Sequence, residues 1–211
     1  MHNSTVNAIL LRFKSQNPNP KIELNYVNGF TLMVAVLLSA QSTDVGVNKA
    51  TSKLFKVANK PEDYLIMGID ALKEYIKTIG LYNNKATNIM ALCQKMFDDK
   101  IQDAPNDFEY LTSLPGIGRK SANVILSTLF GAKRVAVDTH VFRVSNRLGI
   151  TNAKNVLESE NQLMEVVSKR FLPQAHQWLV LHGRYICKAK KPKCTDCIIS
   201  DLCQFADKNI G

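Results

Sequence analysis

Apolar positions recur along this chain at helical rather than strand spacing. Ile9, Leu10 and Phe13 share one face of an amphipathic helix near the N-terminus. The run from Phe30 to Ala40 is interrupted only by Thr31 and Ser39, is too short to span a bilayer, and predicts a buried helix. Leu72, Tyr75, Ile76 and Ile79 repeat at helical offsets up to Gly80, and Ile89, Leu92, Cys93, Met96 and Phe97 do so within Asn88 to Phe97. Pro105 and Asp107 open a helix through Leu114, with Asp107 as N-cap. A further helix runs from Lys120 to Phe130 and closes at Gly131; Asp138 sits at the N-cap of another that ends at Gly149. Ser159 to Gln162 has the capping-box pattern, and Pro173 suits the first turn of a helix reaching Cys187. No sustained apolar/polar alternation, fixed-period repeat or low-complexity segment interrupts this pattern, so the expected fold class is all-α.

Composition narrows the class. The 211 residues make one large or two small domains and can bury a core without disulfides. With 45% hydrophobic and 21% charged residues, intrinsic disorder is excluded. Met1 to Ser15 is basic and acid-free, as transit peptides are, but it lacks a signal peptide's apolar core. Its apolar positions read as the first helix of the fold, and an intracellular soluble protein, cytoplasmic and without a membrane, is expected. Lys plus Arg (27) exceeds Asp plus Glu (18), and the formal charge of +9 points to a polyanion. From Pro115 to Arg147, six basic residues face one acid, Asp138; from Arg184 to Lys193 there are five basic residues and no acid. Such runs often form a merely solvated face, yet these two flank a turn-rich hairpin and suggest two lobes.

Of five cysteines, Cys187, Cys194, Cys197 and Cys203 crowd together as C-x6-C-x2-C-x5-C. In an intracellular chain, clustered thiols read as metal ligands before disulfides. The spacing leaves zinc and iron–sulfur open. Only Cys194 and Cys197 form the short pair typical of zinc ribbons, and the wide gaps lean toward a cubane cluster. Between the first two ligands, Lys188, Lys190, Lys191 and Lys193 could offset cluster charge or face a phosphate backbone. Cys93, inside a helical stretch, reads as a small buried hydrophobe.

The segment Leu114-Pro-Gly-Ile-Gly-Arg-Lys-Ser-Ala122 ends one helix and starts the next. Gly116 and Gly118 permit a tight turn with positive φ. The free N–H groups that follow, at the positive end of a helix dipole, form a phosphate seat. An ordinary helix–helix turn is the plainer reading, but L-P-G-x-G followed by a basic residue is more specific.

This segment resembles the helix-hairpin-helix of the base-excision DNA glycosylases. Leu38-Ser-Ala-Gln-Ser-Thr-Asp44, Thr78-Ile-Gly-Leu-Tyr-Asn83, Val137-Asp-Thr-His-Val-Phe-Arg143, Leu181-His-Gly-Arg184 and the four-cysteine tail extend the resemblance, specifically to the endonuclease III family and over essentially the whole chain. The resemblance implies a two-lobed all-α fold. A six-helix barrel lobe is expected over residues 22–132. Residues 1–21 and 133–211 are expected to form a second lobe with a [4Fe–4S] cluster on the four cysteines.

The resemblance also implies a monomeric, bifunctional glycosylase and abasic-site lyase. It would act on double-stranded DNA that contains oxidised pyrimidines or abasic sites, associated with the bacterial nucleoid through that DNA. The family's lysine nucleophile and aspartate match Lys120 and Asp138. A free lysine has a pKa of about 10.4 and must lose its proton to attack C1′ of the sugar. The helix start, neighbouring Arg119 and partial burial are each expected to favour that loss. Asp138 would stabilise positive charge at the sugar; read alone, it is an N-cap. A base inside a duplex must be flipped out before it can be reached. By resemblance, Gln41 and Leu81 fill the hole, while the hairpin residues Gly116, Ile117, Gly118 and Arg119, with Lys191, meet the backbone. Without the resemblance, Gln41 reads as a solvated helix end and Leu81 as an apolar cap contact. Asp44, Thr139 and His140 match positions near the family's pocket. Arg143 and Arg184 read as structural or phosphate contacts.

Adenine-mismatch glycosylases resemble the chain through the same hairpin and cluster. They lack the lysine and carry a glutamate where Ala35 stands here, and their C-terminal recognition domain has no counterpart in the eight residues after Cys203. The family's 8-oxoguanine enzymes match less well. The non-enzyme alternative is a helix-hairpin-helix DNA-binding module with a structural metal site. A cluster serving electron transfer is a third.

Overall fold

The computed structural model describes residues 1–210, and all regular elements among them are α-helices. The chain divides into two compact units. One is continuous, Ile22–Phe130; the other joins Met1–Lys21 to the chain from Gly131 onward.

The continuous unit is built on α2 (Gly29–Ser39), whose residues from Gly29 to Leu38 are all buried. An all-round apolar helix has no solvent face and must sit inside its neighbours. Its entry is fixed by a capping box in which the Asn28 side chain accepts from the Thr31 N–H and Thr31 Oγ1 accepts from the Asn28 N–H. Phe30 meets Tyr64 edge-on with ring centroids 5.3 Å apart. Around α2 stand α3 (Asp44–Val57), α4 (Pro61–Met67), α5 (Ile69–Ile76), α6 (Tyr82–Asp98), α7 (Phe108–Ser113) and α8 (Arg119–Phe130). The expected six helices are thus seven segments, because Gly68, at φ 77, breaks α4 from α5. Phe97 departs from its expected face and is 48% exposed, whereas Ile89, Leu92, Cys93 and Met96 are buried. It lies in the last turn of α6, just before the chain turns at Lys100 with φ 58. Burial pushes the Cys93 thiol up to about 12, consistent with an inert core residue.

In the discontinuous unit, α1 (Asn3–Gln16) sends Val6, Ile9, Leu10 and Phe13 into one core with residues of α9 (Thr139–Leu148), α10 (Val156–Val166) and α11 (Leu172–Tyr185). Trp178 anchors the join, its Nε1–H donating to the Asn17 carbonyl at 2.8 Å. Arg12 reaches the loop after α11, donating to the Ile198 carbonyl at 2.9 Å and pairing with Asp201. Helices α9 and α11 pack closely at Gly183, where a Cβ would stand 2.9 Å from the His140 Cβ.

No capping box forms at Ser159, and α10 begins one turn earlier. Asn155 caps α10 by accepting from the Glu158 N–H, and Glu158 reaches back to accept from the Lys154 N–H. Ser159 is buried inside the helix, its Oγ 3.3 Å from the Ser145 Oγ. Gln162 accepts from the Asn152 N–H instead. Helix α11 likewise ends at Tyr185 rather than Cys187, with the Ile186 and Cys187 N–H groups sharing the His182 carbonyl.

Candidate DNA-damage site and iron–sulfur loop

The hairpin joins α7 to α8. Asp107 caps α7 through the Tyr110 N–H, and the chain then turns with the Ile117 N–H bonded to the Leu114 carbonyl. The buried Ile117 side chain fixes this turn from inside. Only one of the two glycines has positive φ, a correction to the expectation for Gly118. Gly116 stands at φ 82, and a Cβ there would lie 2.7 Å from Leu37 Cδ1 and 3.1 Å from Asn88 Cβ. Gly118 has an ordinary φ, and a Cβ there would meet nothing within 4 Å. Packing within the chain therefore demands Gly116 but not Gly118. A ligand approaching the exposed backbone would demand the second.

Arg119 and Lys120 occupy the first turn of α8, both exposed. The partial burial expected for Lys120 is absent, because the first turn projects beyond the buried stretch Ala122–Leu126. The Arg119 guanidinium lies over the Phe108 ring, 5.6 Å from its centroid, so part of this cation packs on α7.

Two turns on the same unit carry strain. Gln41, after the end of α2, is exposed at φ 53; Leu81, before α6, is 57% exposed at φ 59. Left-handed backbone is costly for such residues and points to a functional constraint. Leu81 is too exposed to serve as an apolar cap contact. The turns adjoin: a Cβ on Gly80 would stand 3.8 Å from the Gln41 carbonyl oxygen. Asp44, half-buried, opens α3 behind the Thr43 N-cap.

On the discontinuous unit, Asp138 caps α9, its Oδ1 accepting from the Val141 N–H at 2.8 Å. The half-buried carboxylate is thereby held in one orientation. Thr139 is exposed at the helix start; His140 is half-buried, its Nδ1 3.3 Å from an Arg143 amino nitrogen. Arg143 is structural. It donates to the Gly183 carbonyl at 2.9 Å and to the Cys187 carbonyl, and burial lowers its pKa.

All four clustered cysteines are free thiols that border one shared, partly open pocket. Among the described residues, no three His, Cys, Asp or Glu side chains converge as a single ion requires. Four thiols lining one pocket are the donor set that a [4Fe–4S] cluster takes. Burial raises the Cys197 and Cys203 thiols above their ordinary value, so ligation, which takes thiolates, would release protons. Arg147, which the sequence reading counted only as charge, fastens this loop. It donates to the Lys188 and Ala189 carbonyls at 2.7 and 3.0 Å and stacks on Phe205. The loop lysines Lys188, Lys190, Lys191 and Lys193 are exposed, with Lys191 at φ 49.

Residues 34–169 match the model of the HhH-GPD superfamily of base excision DNA repair proteins, and residues 187–203 match the iron–sulfur binding domain of endonuclease III. The second match runs from the first clustered cysteine to the last. The endonuclease III of Escherichia coli K12 is 52% identical, covering 95% of this chain and 95% of its own length. That of Rickettsia conorii is 51% identical over 97% of this chain and 98% of its own. The chain belongs to the endonuclease III family. It is therefore a DNA glycosylase and abasic-site lyase of base excision repair that carries a [4Fe–4S] cluster. A solved endonuclease III–DNA covalent intermediate superposes with a TM-score of 0.89 at 41% identity, over 97% of this chain and 96% of that one. A thermostable thymine-DNA glycosylase, 23% identical, shares the fold with a TM-score of 0.84. No helix among the described residues is long and apolar enough to cross a membrane.

Proposed function

We propose that this endonuclease III removes oxidised pyrimidines from double-stranded DNA through Lys120 and then cuts the strand at the abasic site. The single observation that carries the reading is Lys120 itself, an exposed amine on the first turn of α8, two residues after a glycine, Gly118, that the chain's own packing does not require. A DNA phosphate seated on the Gly118 backbone and the α8 start would bring the sugar backbone to this amine. The related enzyme trapped covalently on DNA supports a bond between protein and substrate.

The chemistry follows from the groups present. Deprotonated Lys120 Nζ attacks C1′ of the flipped nucleotide. The C1′–N bond breaks, and the base leaves with the bonding pair and takes up a proton. The sugar ring then opens: the nitrogen lone pair forms the C=N bond, the C1′–O4′ bond breaks and O4′ takes up a proton. The resulting Schiff base draws electrons from the sugar and acidifies C2′. Loss of a C2′ proton then expels the 3′ phosphate by β-elimination, and water releases the lysine. Asp138 stabilises the positive charge that grows on the sugar, its carboxylate kept in place by the Val141 N–H. Gln41 and Leu81 fill the vacated stack. Gly116, Ile117, Gly118 and Arg119 present the hairpin to the backbone, and Lys191 does the same from the cysteine loop. Asp44, Thr139 and His140 are assigned to contacts with the flipped nucleotide. The four cysteines hold the cluster, which maintains the loop's shape when bound. The protein acts as a monomer in the cytoplasm, on nucleoid DNA.

Gel assays on a duplex with one oxidised pyrimidine test this reading. Lys120→Ala is expected to abolish excision and scission while DNA is still bound. Asp138→Asn preserves a side-chain cap, whereas Asp138→Ala costs about 1 kcal/mol of stability. Both are expected to slow excision by at least about 100-fold. Full activity in Lys120→Ala contradicts the reading. So does activity that tracks only the lost cap.

A further inference from the structure

Lys85 is the one lysine of the chain classed as buried among the described residues, only 5% exposed, and it lies outside the chemistry above. It stands in the first turns of α6, at the positive end of that helix, where a cation is disfavoured. No carboxylate pairs with it among the described residues, and burial lowers its pKa. A buried, unpaired ammonium is costly and persists only where its hydrogen bonds matter.

Those bonds reach both strained turns. Lys85 Nζ donates to the Leu38 carbonyl at 2.9 Å, at the negative end of α2, and to Ser42 Oγ at 2.9 Å. Leu38 and Ser42 bracket Gln41. The Lys85 backbone N–H donates to the Leu81 carbonyl at 3.0 Å. The side chain therefore ties the turn that presents Gln41 to the first turn of α6, whose opening helical bond is the one to Leu81. Left-handed residues persist only where their surroundings over-determine them, and the Lys85 side chain supplies that constraint by clamping the Gln41 turn onto the start of α6, next to Leu81.

We propose that Lys85 is a positioning residue for base flipping: its side chain, by fastening the Gln41 turn to the start of α6, holds Gln41 preformed beside Leu81 for insertion into the duplex. The inference rests on the assignment of those two residues as the inserting pair. A preformed wedge lowers the cost of opening a paired base but matters little where no pair must be broken.

Single-turnover excision separates the two cases, on one duplex with the lesion paired to its normal partner and another with the lesion opposite an abasic analogue. Lys85→Met keeps the length of the side chain but removes its donors. It is expected to slow excision about ten-fold on the paired lesion and less than about three-fold on the unpaired one, with a matching loss of the 2-aminopurine fluorescence rise that reports base opening. Rates within two-fold of wild type on both duplexes, or an equal loss on both, overturn the proposal. Ser42→Ala removes one acceptor without touching the core and is expected to show the same selectivity at about two- to five-fold. If Lys85→Met does not fold, wild-type rates in Ser42→Ala overturn the proposal alone. Gln41→Ala and Leu81→Ala identify which reading fails. If both slow the paired duplex and Lys85→Met does not, only the role of Lys85 falls. If neither slows it, the inserting-pair assignment falls, and this inference with it.

Discussion

The two units reach stability by different routes. Ile22–Phe130 is one uninterrupted stretch wrapped on an apolar helix, α2, whose entry is fixed by its own capping box. The other unit must bring α1 to helices more than a hundred residues later in the chain, a closure that costs entropy. It also ends in a stretch with no α-helix after Tyr185 among the described residues. That stretch is shaped by thiols around a cavity, by Arg147, and by the Arg12–Asp201 pair. A core of aliphatic side chains can hold itself; a loop with few apolar residues needs a metal centre. The hairpin thus sits on the unit with the continuous core, and the basic lysine loop sits on the stretch that carries the cysteines.

Cys197→Ser breaks the comparison most severely. It is expected to lose the visible iron–sulfur absorbance and metal-binding free energy on the order of 10 kcal/mol, judged by structural zinc sites. Limited proteolysis should then cut within 185–203 and spare Ile22–Phe130. A folded, active variant without its cluster would show that the loop holds itself. Leu32→Ala perturbs the other unit, since Leu32 is fully buried on α2. A loss of about 3 kcal/mol is expected by chemical denaturation, with the iron–sulfur absorbance retained. Disappearance of that absorbance would contradict the separation.

Smaller effects separate the two glycines of the hairpin. Gly116→Ala meets Leu37 and a positive φ, and it is expected to cost about 1–3 kcal/mol in thermal denaturation. Gly118→Ala meets open space, so stability should stay within about 0.5 kcal/mol of wild type while DNA affinity falls. If Gly118→Ala binds DNA normally, the phosphate seat is misplaced.

These contrasts also show what the sequence could and could not reveal. The buried run of α2 and the caps at Asp107 and Asp138 were legible because each is a local signal. The cysteine spacing pointed to a metal loop but not to its metal, since ligand geometry depends on how the loop folds. The α10 start was misplaced because Ser159–Gln162 imitates a capping box, while Asn155 and Glu158 form the actual N-terminal bonds. Gly116 and Gly118 look equivalent as letters, and only their neighbours distinguish them. Lys85 was invisible, because a lysine after two asparagines reads as solvated and only tertiary packing buries it. Arg147 was read as charge when its work is to hold backbone carbonyls.

Borohydride reduction of the protein on a duplex with an abasic site, followed by peptide mass spectrometry, tests the central claim most directly. The account predicts one covalent adduct, carried by Lys120 and absent from Lys120→Ala. An adduct on another amine, or none from wild-type protein that binds and cuts the duplex, contradicts it.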